Sequence, residues 1–156
     1  MKTAHDGSDS LSKQRLRLWI RLLRATRFIE GEIRERLRRE MDTTLPRFDV
    51  MSALSRTDAP MTMTELSRYL MVSNGNVTGI IDRLVDDGLV SRTPLEADRR
   101  SSLVALTEAG NQAFAEMATV HESWVDELLA PVCLDDAIDA IAILKRFESA
   151  RREPLS

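Results

Sequence analysis

The sequence predicts a mainly α-helical fold with one small β-hairpin. Three observations carry that expectation. Apolar residues recur every three or four positions through both ends of the 156-residue chain. Helix start and stop signals punctuate the middle, at Thr62-Met63-Thr64-Glu65, Ser73 and Gly88. One short stretch after Gly88 changes to strand-like residues.

Each element follows in turn. Residues 1–9 mix Ser, Gly and Asp and read as an arm outside the fold. From about Ser10, Leu16, Trp19, Leu22, Leu23, Thr26, Ile29, Ile33, Leu37 and Met41 trace one long amphipathic stripe, with Gly31 as a candidate bend. A second helix fits Phe48 to Arg56, and Asp58-Ala59-Pro60 is a turn. Thr62 to Glu65 reads as a capping box that opens a short helix. Ser73 can cap the next helix, which runs to about Asp87 and stops at Gly88. Leu89–Thr93 and Ser102–Leu106 read as strands around the polar loop Pro94 to Arg100. Helix resumes near Thr107, Pro131 should end it, and Asp135 can cap a last helix through Ile138, Ile141, Leu144 and Phe147.

Composition narrows the function. Hydrophobic residues make up 43% of the chain and charged residues 30%, so it should fold. One cysteine, Cys133, excludes an intrachain disulfide, and two His with one Cys argue against structural zinc. No metal site is expected. No apolar run reaches the ~20 residues of a membrane span, and Met1 to Ser10 has no apolar signal core, so a cytoplasmic protein is expected. There is no G-x-S-x-G, phosphate loop or Cys–His arrangement, so catalysis is not expected. The net charge of −3 means that any nucleic-acid reading must rest on local features.

The order helix, short helix, helix, hairpin is that of a winged helix-turn-helix, whose third helix enters the major groove. Val77, Ile80, Ile81 and Leu84 share one side of that helix and should be core. The other side carries Gly75, Asn76, Gly79 and Arg83, flanked by Thr78. Glycine inside a helix costs about 1 kcal/mol against Ala, so two on one face need a reason, and close approach of another surface is one. Asn and Arg suit adenine and guanine edges. Ser73, Asn74 and the first backbone N–H groups can hold a phosphate. At the hairpin tip, Arg99 and Arg100 suit a narrow minor groove, with Asp98 orienting Arg100. Against this, residues 62–107 are about neutral in charge, which leaves room for a winged module that binds protein and neither DNA nor an effector.

Several segments together resemble the MarR family of bacterial transcription regulators. They are Met63-Thr64-Glu65-Leu66-Ser67, Val77-Thr78-Gly79-Ile80-Ile81-Asp82-Arg83-Leu84, Asp87-Gly88-Leu89-Val90, Asp98-Arg99-Arg100 and Val104-Ala105-Leu106-Thr107-Glu108-Ala109-Gly110. The resemblance implies a homodimer that reads a pseudo-palindromic DNA operator, as a repressor. It also implies three parts: an arm and dimerisation helix over 1–45, a DNA-binding domain over 46–107, and dimerisation helices over 108–156. Residues 73–83 would be the recognition helix, and Arg100 the wing arginine with Asp98 as its partner. Periodicity alone shows only that the terminal helices are more apolar than a winged domain needs.

Most members of that family respond to a small molecule. Residues 11–47 carry an excess of six positive charges. Arg17, Arg21, Arg24 and Phe28, spaced 4, 3 and 4, lie opposite the apolar stripe. Arginine forks bind carboxylate or phosphate, and Phe28 could stack on an aromatic ring. His121 is a further candidate for an effector carboxylate. Leu18 to Arg27, with Leu45 to Met51, resembles the branch of the family that controls hydroxycinnamate catabolism. That resemblance implies an aromatic acid or hydroxycinnamoyl-coenzyme A as effector, with no resident cofactor. The plainer reading of this basic face is solvated charge. Cys133, in the turn before the last helix, is expected to be a partly buried small residue.

Overall fold

The computed structural model describes residues 10–98 and 101–152, without the side chains of 151 and 152. The chain divides into two compact units, Met1–His121 and Glu122–Ser156. The described elements are α1 (Leu11–Met41), α2 (Leu45–Ser55), β1 (Met61–Thr62), α3 (Met63–Leu70), α4 (Asn74–Asp86), β2 (Val90–Pro94), β3 (Ser102–Leu106), α5 (Glu108–Leu128) and α6 (Leu134–Arg152). This is the mainly helical fold with a small β-hairpin wing that the sequence predicts.

The long first helix runs unbroken through Gly31, with Ser10 as its N-cap. Ile33 and Leu37 are buried, and Asp42 closes the helix in the left-handed conformation. The second helix begins three residues before the expected Phe48. Thr44 accepts a hydrogen bond from the Arg47 N–H, and Pro46 fits a first turn where no amide donor is needed. At the third helix the capping box forms in full. Thr62 Oγ1 accepts from the Glu65 amide at 3.1 Å, and Glu65 accepts from the Thr62 amide at 2.8 Å. The latter bond holds the Glu65 carboxyl below its usual pKa. Such a cap contributes about 1 kcal/mol.

The sheet has three antiparallel strands in the order β1-β3-β2. The edge strand β1 was not expected, because two residues are too few for an alternating pattern to show. It pairs Met61 with Val104 and Thr62 with Leu103. The hairpin pairs Val90 with Leu106 and Pro94 with Ser102, one residue later on β2 than the sequence suggested.

The core lies among α2, α3, α4 and the sheet. Val50, Met51, Leu66, Val77, Ile81, Leu84 and Val104 are fully buried, each contributing about 1.5–3 kcal/mol. Ile80, expected in the core, is half-buried and packs on its edge. The α4 helix stops at Gly88, whose φ of +74° suits glycine. The segment that follows the hairpin docks back on this stop. Thr107 Oγ1 donates to the Gly88 carbonyl at 2.7 Å and accepts from the Gly110 amide at 3.0 Å, so it caps α5. A Cβ on Gly110 would stand 1.9 Å from the Leu89 carbonyl oxygen, so only glycine fits there.

In the second unit α6 exposes Leu134, Ile138, Ile141, Leu144 and Phe147. Cys133 is exposed, not partly buried as expected, and its thiol lies 3.1 Å from Asp136 Oδ2. The turn after Pro131 leaves this small residue outside any core. Asp135 does not cap α6 but stands in its first turn, one residue beyond the Leu134 start.

Candidate nucleic-acid interface

The α4 helix presents three sides. Val77, Ile81 and Leu84 face the core. At 100° per residue, Gly75, Gly79 and Asp86 lie opposite. A Cβ on either glycine would meet open space, so no packing among the described residues calls for them. Their cost of about 1 kcal/mol each is offset by no contact among the described residues.

The other predicted residues divide between anchoring and exposure. Asn74 is taken up internally: Ser67 Oγ donates to its Oδ1, tying α3 to α4. The Thr78 hydroxyl donates to the Asn74 carbonyl at 2.8 Å. Ser73 is the N-cap, as expected, but its side chain makes no capping hydrogen bond. Asn76 and Arg83 are exposed and turn toward α1 and α2. Asp98 organises the wing turn: its Oδ2 accepts from Ser101 Oγ at 3.2 Å and its carbonyl from the Ser101 amide at 3.0 Å. Arg99 and Arg100, and so the expected Asp98–Arg100 pair, lie outside the described residues.

Two ion pairs that sequence reasoning passed over join α4 to its neighbours. Arg47 on α2 bonds Asp87 at the end of α4. Arg92 on β2 bonds Asp82 at 2.7 Å and Ser102 on β3 at 3.0 Å. Opposite charges ten residues apart across a helix-to-strand turn were the available signal for the second pair.

A cavity of about 790 Å³ lies beside α4, lined by Asn76, Gly79, Ile80 and Arg83. Glu30 and Arg34 of α1, and Leu45, Arg47, Asp49 and Val50 of α2, close its other sides. Arg34 pairs with Glu30. Burial raises the pKa of Asp49, Glu30 adds to the rise by repulsion, and Arg34 opposes it. The predicted effector residues are elsewhere. Arg17, Arg21, Arg24 and Phe28 are exposed along α1 before Glu30, and none lines the cavity. His121 stacks on Phe48 with ring centroids 4.5 Å apart, and Phe48 meets Phe114 at 5.5 Å. Burial there lowers the imidazole pKa.

A helix pair tied through Ser67 and Asn74, followed by a hairpin tied to the second helix, defines a winged helix-turn-helix. Comparison with known proteins narrows that class. A family profile described as MarR family matches residues 43–102. A MarR family transcriptional regulator from Silicibacter pomeroyi is 31% identical, with a TM-score of 0.74 over 92% of this chain and 99% of its own. The chain belongs to the MarR family. It is also 34% identical, over 113 residues, to the transcriptional activatory protein BadR of Rhodopseudomonas palustris. That match covers 70% of this chain and 65% of BadR, so the chain spans just under two thirds of that relative. A mutant MarR from E. coli, solved in complex with operator DNA, is 27% identical with a TM-score of 0.73, over 89% of this chain and 99% of its own. These relatives are transcriptional regulators, not enzymes. No helix among the described residues is long and apolar enough to cross a membrane.

Proposed function

We propose that the chain is a homodimeric repressor that places α4 in the major groove of a pseudo-palindromic operator and its wing against the flanking minor groove. The observation that carries this reading is the outward face of α4. Its two glycines answer no packing need, and Asn76 and Arg83 stand exposed beside them. The likeness to a MarR solved with operator DNA supports the same reading. The dimer reading rests on apolar surface. The α1 helix exposes Leu16, Trp19 and Phe28, and α6 exposes Ile138, Ile141 and Phe147. Two copies would cover such faces.

The effector, in this reading, enters the cavity beside α4. Arg83 offers a fork for a carboxylate or phosphate, and Leu45, Val50 and Ile80 offer apolar wall for an aromatic ring. An aromatic acid or its coenzyme A thioester, p-coumaroyl-coenzyme A first, has that chemistry. A ligand there touches α4 directly and favours dimers whose recognition helices no longer match half-sites one DNA turn apart. Arg17, Arg21 and Arg24 remain a surface for the phosphates of the thioester.

The test is fluorescence anisotropy on an operator selected from a random duplex pool, with and without p-coumarate and its thioester. The expected result is an enriched pseudo-palindrome whose binding is lost on adding one of the two. Enrichment with no ligand effect removes the effector reading, and no enrichment at low salt removes the DNA reading. A second reading, activation, is favoured by the name of BadR. A reporter carrying the selected operator separates the two by the sign of its response when the protein is deleted.

A further inference from the structure

The base of the wing joins the core through Val90 and Val104 and pairs with β1, but beyond that base the wing has little apolar packing to fix its angle. On β2 only Val90 at the base is buried, and the four residues beyond it are exposed. On β3 the buried residues are Ser102 and Val104. One polar side chain reaches across the gap to α4. The Arg92 guanidinium donates through Nε to Ser102 Oγ at 3.0 Å and through Nη1 to Asp82 Oδ1 at 2.7 Å. A single planar fork thus joins both strands of the hairpin to the helix beside it. Such a group keeps its donors in fixed relative directions, which the single ammonium of Lys cannot do.

We propose that Arg92 is a positioning residue for DNA binding, setting the wing against α4 so that both engage one duplex together. The proposal rests on the reading of α4 and the wing as the DNA-binding elements. DNA fixes the separation of adjacent major and minor grooves, so a wing that swings freely must be ordered on binding, and that ordering weakens affinity. Arg92 and Asp82 both keep solvent access, with side chains 34% and 55% exposed. Exposed ion pairs contribute little to stability, so affinity can be lost without unfolding.

The partner acid gives a test with opposite signs. If Arg92 acted only as one more positive charge near phosphate, Asp82→Asn would remove a repulsive charge and tighten binding. If Arg92 positions the wing, Asp82→Asn weakens operator binding about tenfold, with the melting temperature nearly unchanged. Arg92→Gln should weaken binding alike, and the double variant Asp82→Asn/Arg92→Gln no further. Hydroxyl-radical footprints of Asp82→Asn should lose protection in the flanking minor groove and keep it around the major groove. Binding by Asp82→Asn as tight as wild type overturns the proposal and leaves the DNA reading intact. Failure of the wild type to select any duplex overturns both.

Discussion

The winged core and the terminal helices carry the same kind of amphipathic pattern and come to different ends. In α4 the apolar side is sealed: Val77, Ile81 and Leu84 show no exposed surface. In α6 Ile138, Ile141 and Phe147 are each more than half exposed. The first helix contains both outcomes, with Ile33 and Leu37 buried and Trp19 and Leu16 open. A hydrophobic stripe therefore states that a face favours burial, and leaves open which molecule covers it. In the winged core the cover comes from the chain's own α2, α3 and sheet. Along α6 and the first half of α1, the chain's own packing leaves the stripe bare.

The sealed core is tightest at Gly110. The α5 backbone comes so close to Leu89 there that any side chain collides with a carbonyl oxygen. Gly110→Ala should destabilise the winged unit by about 3 kcal/mol, read from urea unfolding. A variant as stable as wild type would show that the sealed region is looser than its packing implies.

A charge on the bare stripe should act in the opposite manner. Ile141→Glu places a carboxylate on a side chain that is already 52% exposed, so the unit keeps its own fold. If a second copy covers α6, sedimentation equilibrium should show at least a hundredfold weaker association, about 2.7 kcal/mol. Circular dichroism at low concentration should change little. Unaltered association would mean that α6 is not the covered face.

Much of this contrast was legible in the sequence, and the reasons are local. The capping box at Thr62, the stop at Gly88 and the buried trio of α4 depend on residues three or four apart, which a single sequence displays. The start of α2 was misplaced because Pro46 reads equally as a boundary or a first-turn residue, and the Thr44 bond decides it. The candidate interface was legible as an exposed face of α4 but not in its hydrogen bonds. Asn74 looks like a DNA ligand until Ser67, seven residues earlier, is seen to bond it. The cavity was invisible, because it is assembled from positions 30 to 83. The ties Arg92–Asp82 and Arg47–Asp87 join elements whose relative placement no local pattern fixes.

Gly31 sharpens the boundary within α1. It lies in mid-helix, and an added Cβ there meets nothing. On an exposed helix face Gly31→Ala should stabilise the protein by about 1 kcal/mol, seen as a higher urea midpoint. If a second copy packs closely over this position, the gain should appear only in dilute, dissociated protein. A gain independent of concentration would place Gly31 outside the covered face.

The smallest effect concerns the cavity, where α1 closes on the winged core through Glu30 and Arg34. The Asp49 carboxyl there has its pKa raised above 3.8 by burial and by Glu30. A raised carboxyl holds its proton to higher pH in the folded chain than in the unfolded one. The folded state then binds more protons between the two values, and stability falls as pH rises through that window. At neutral pH the charge on Asp49 is therefore a cost. Asp49→Asn should raise the melting temperature at pH 7 by about 1 °C. The gain should shrink as pH falls through the raised pKa and vanish below about 3.8. A gain of equal size at every pH would assign the effect to packing instead of charge. An anion seated on Arg83 would add its own negative charge beside Asp49 and enlarge the neutral-pH gain of the variant. Comparing melts with and without p-coumarate thus asks whether that anion occupies this cavity.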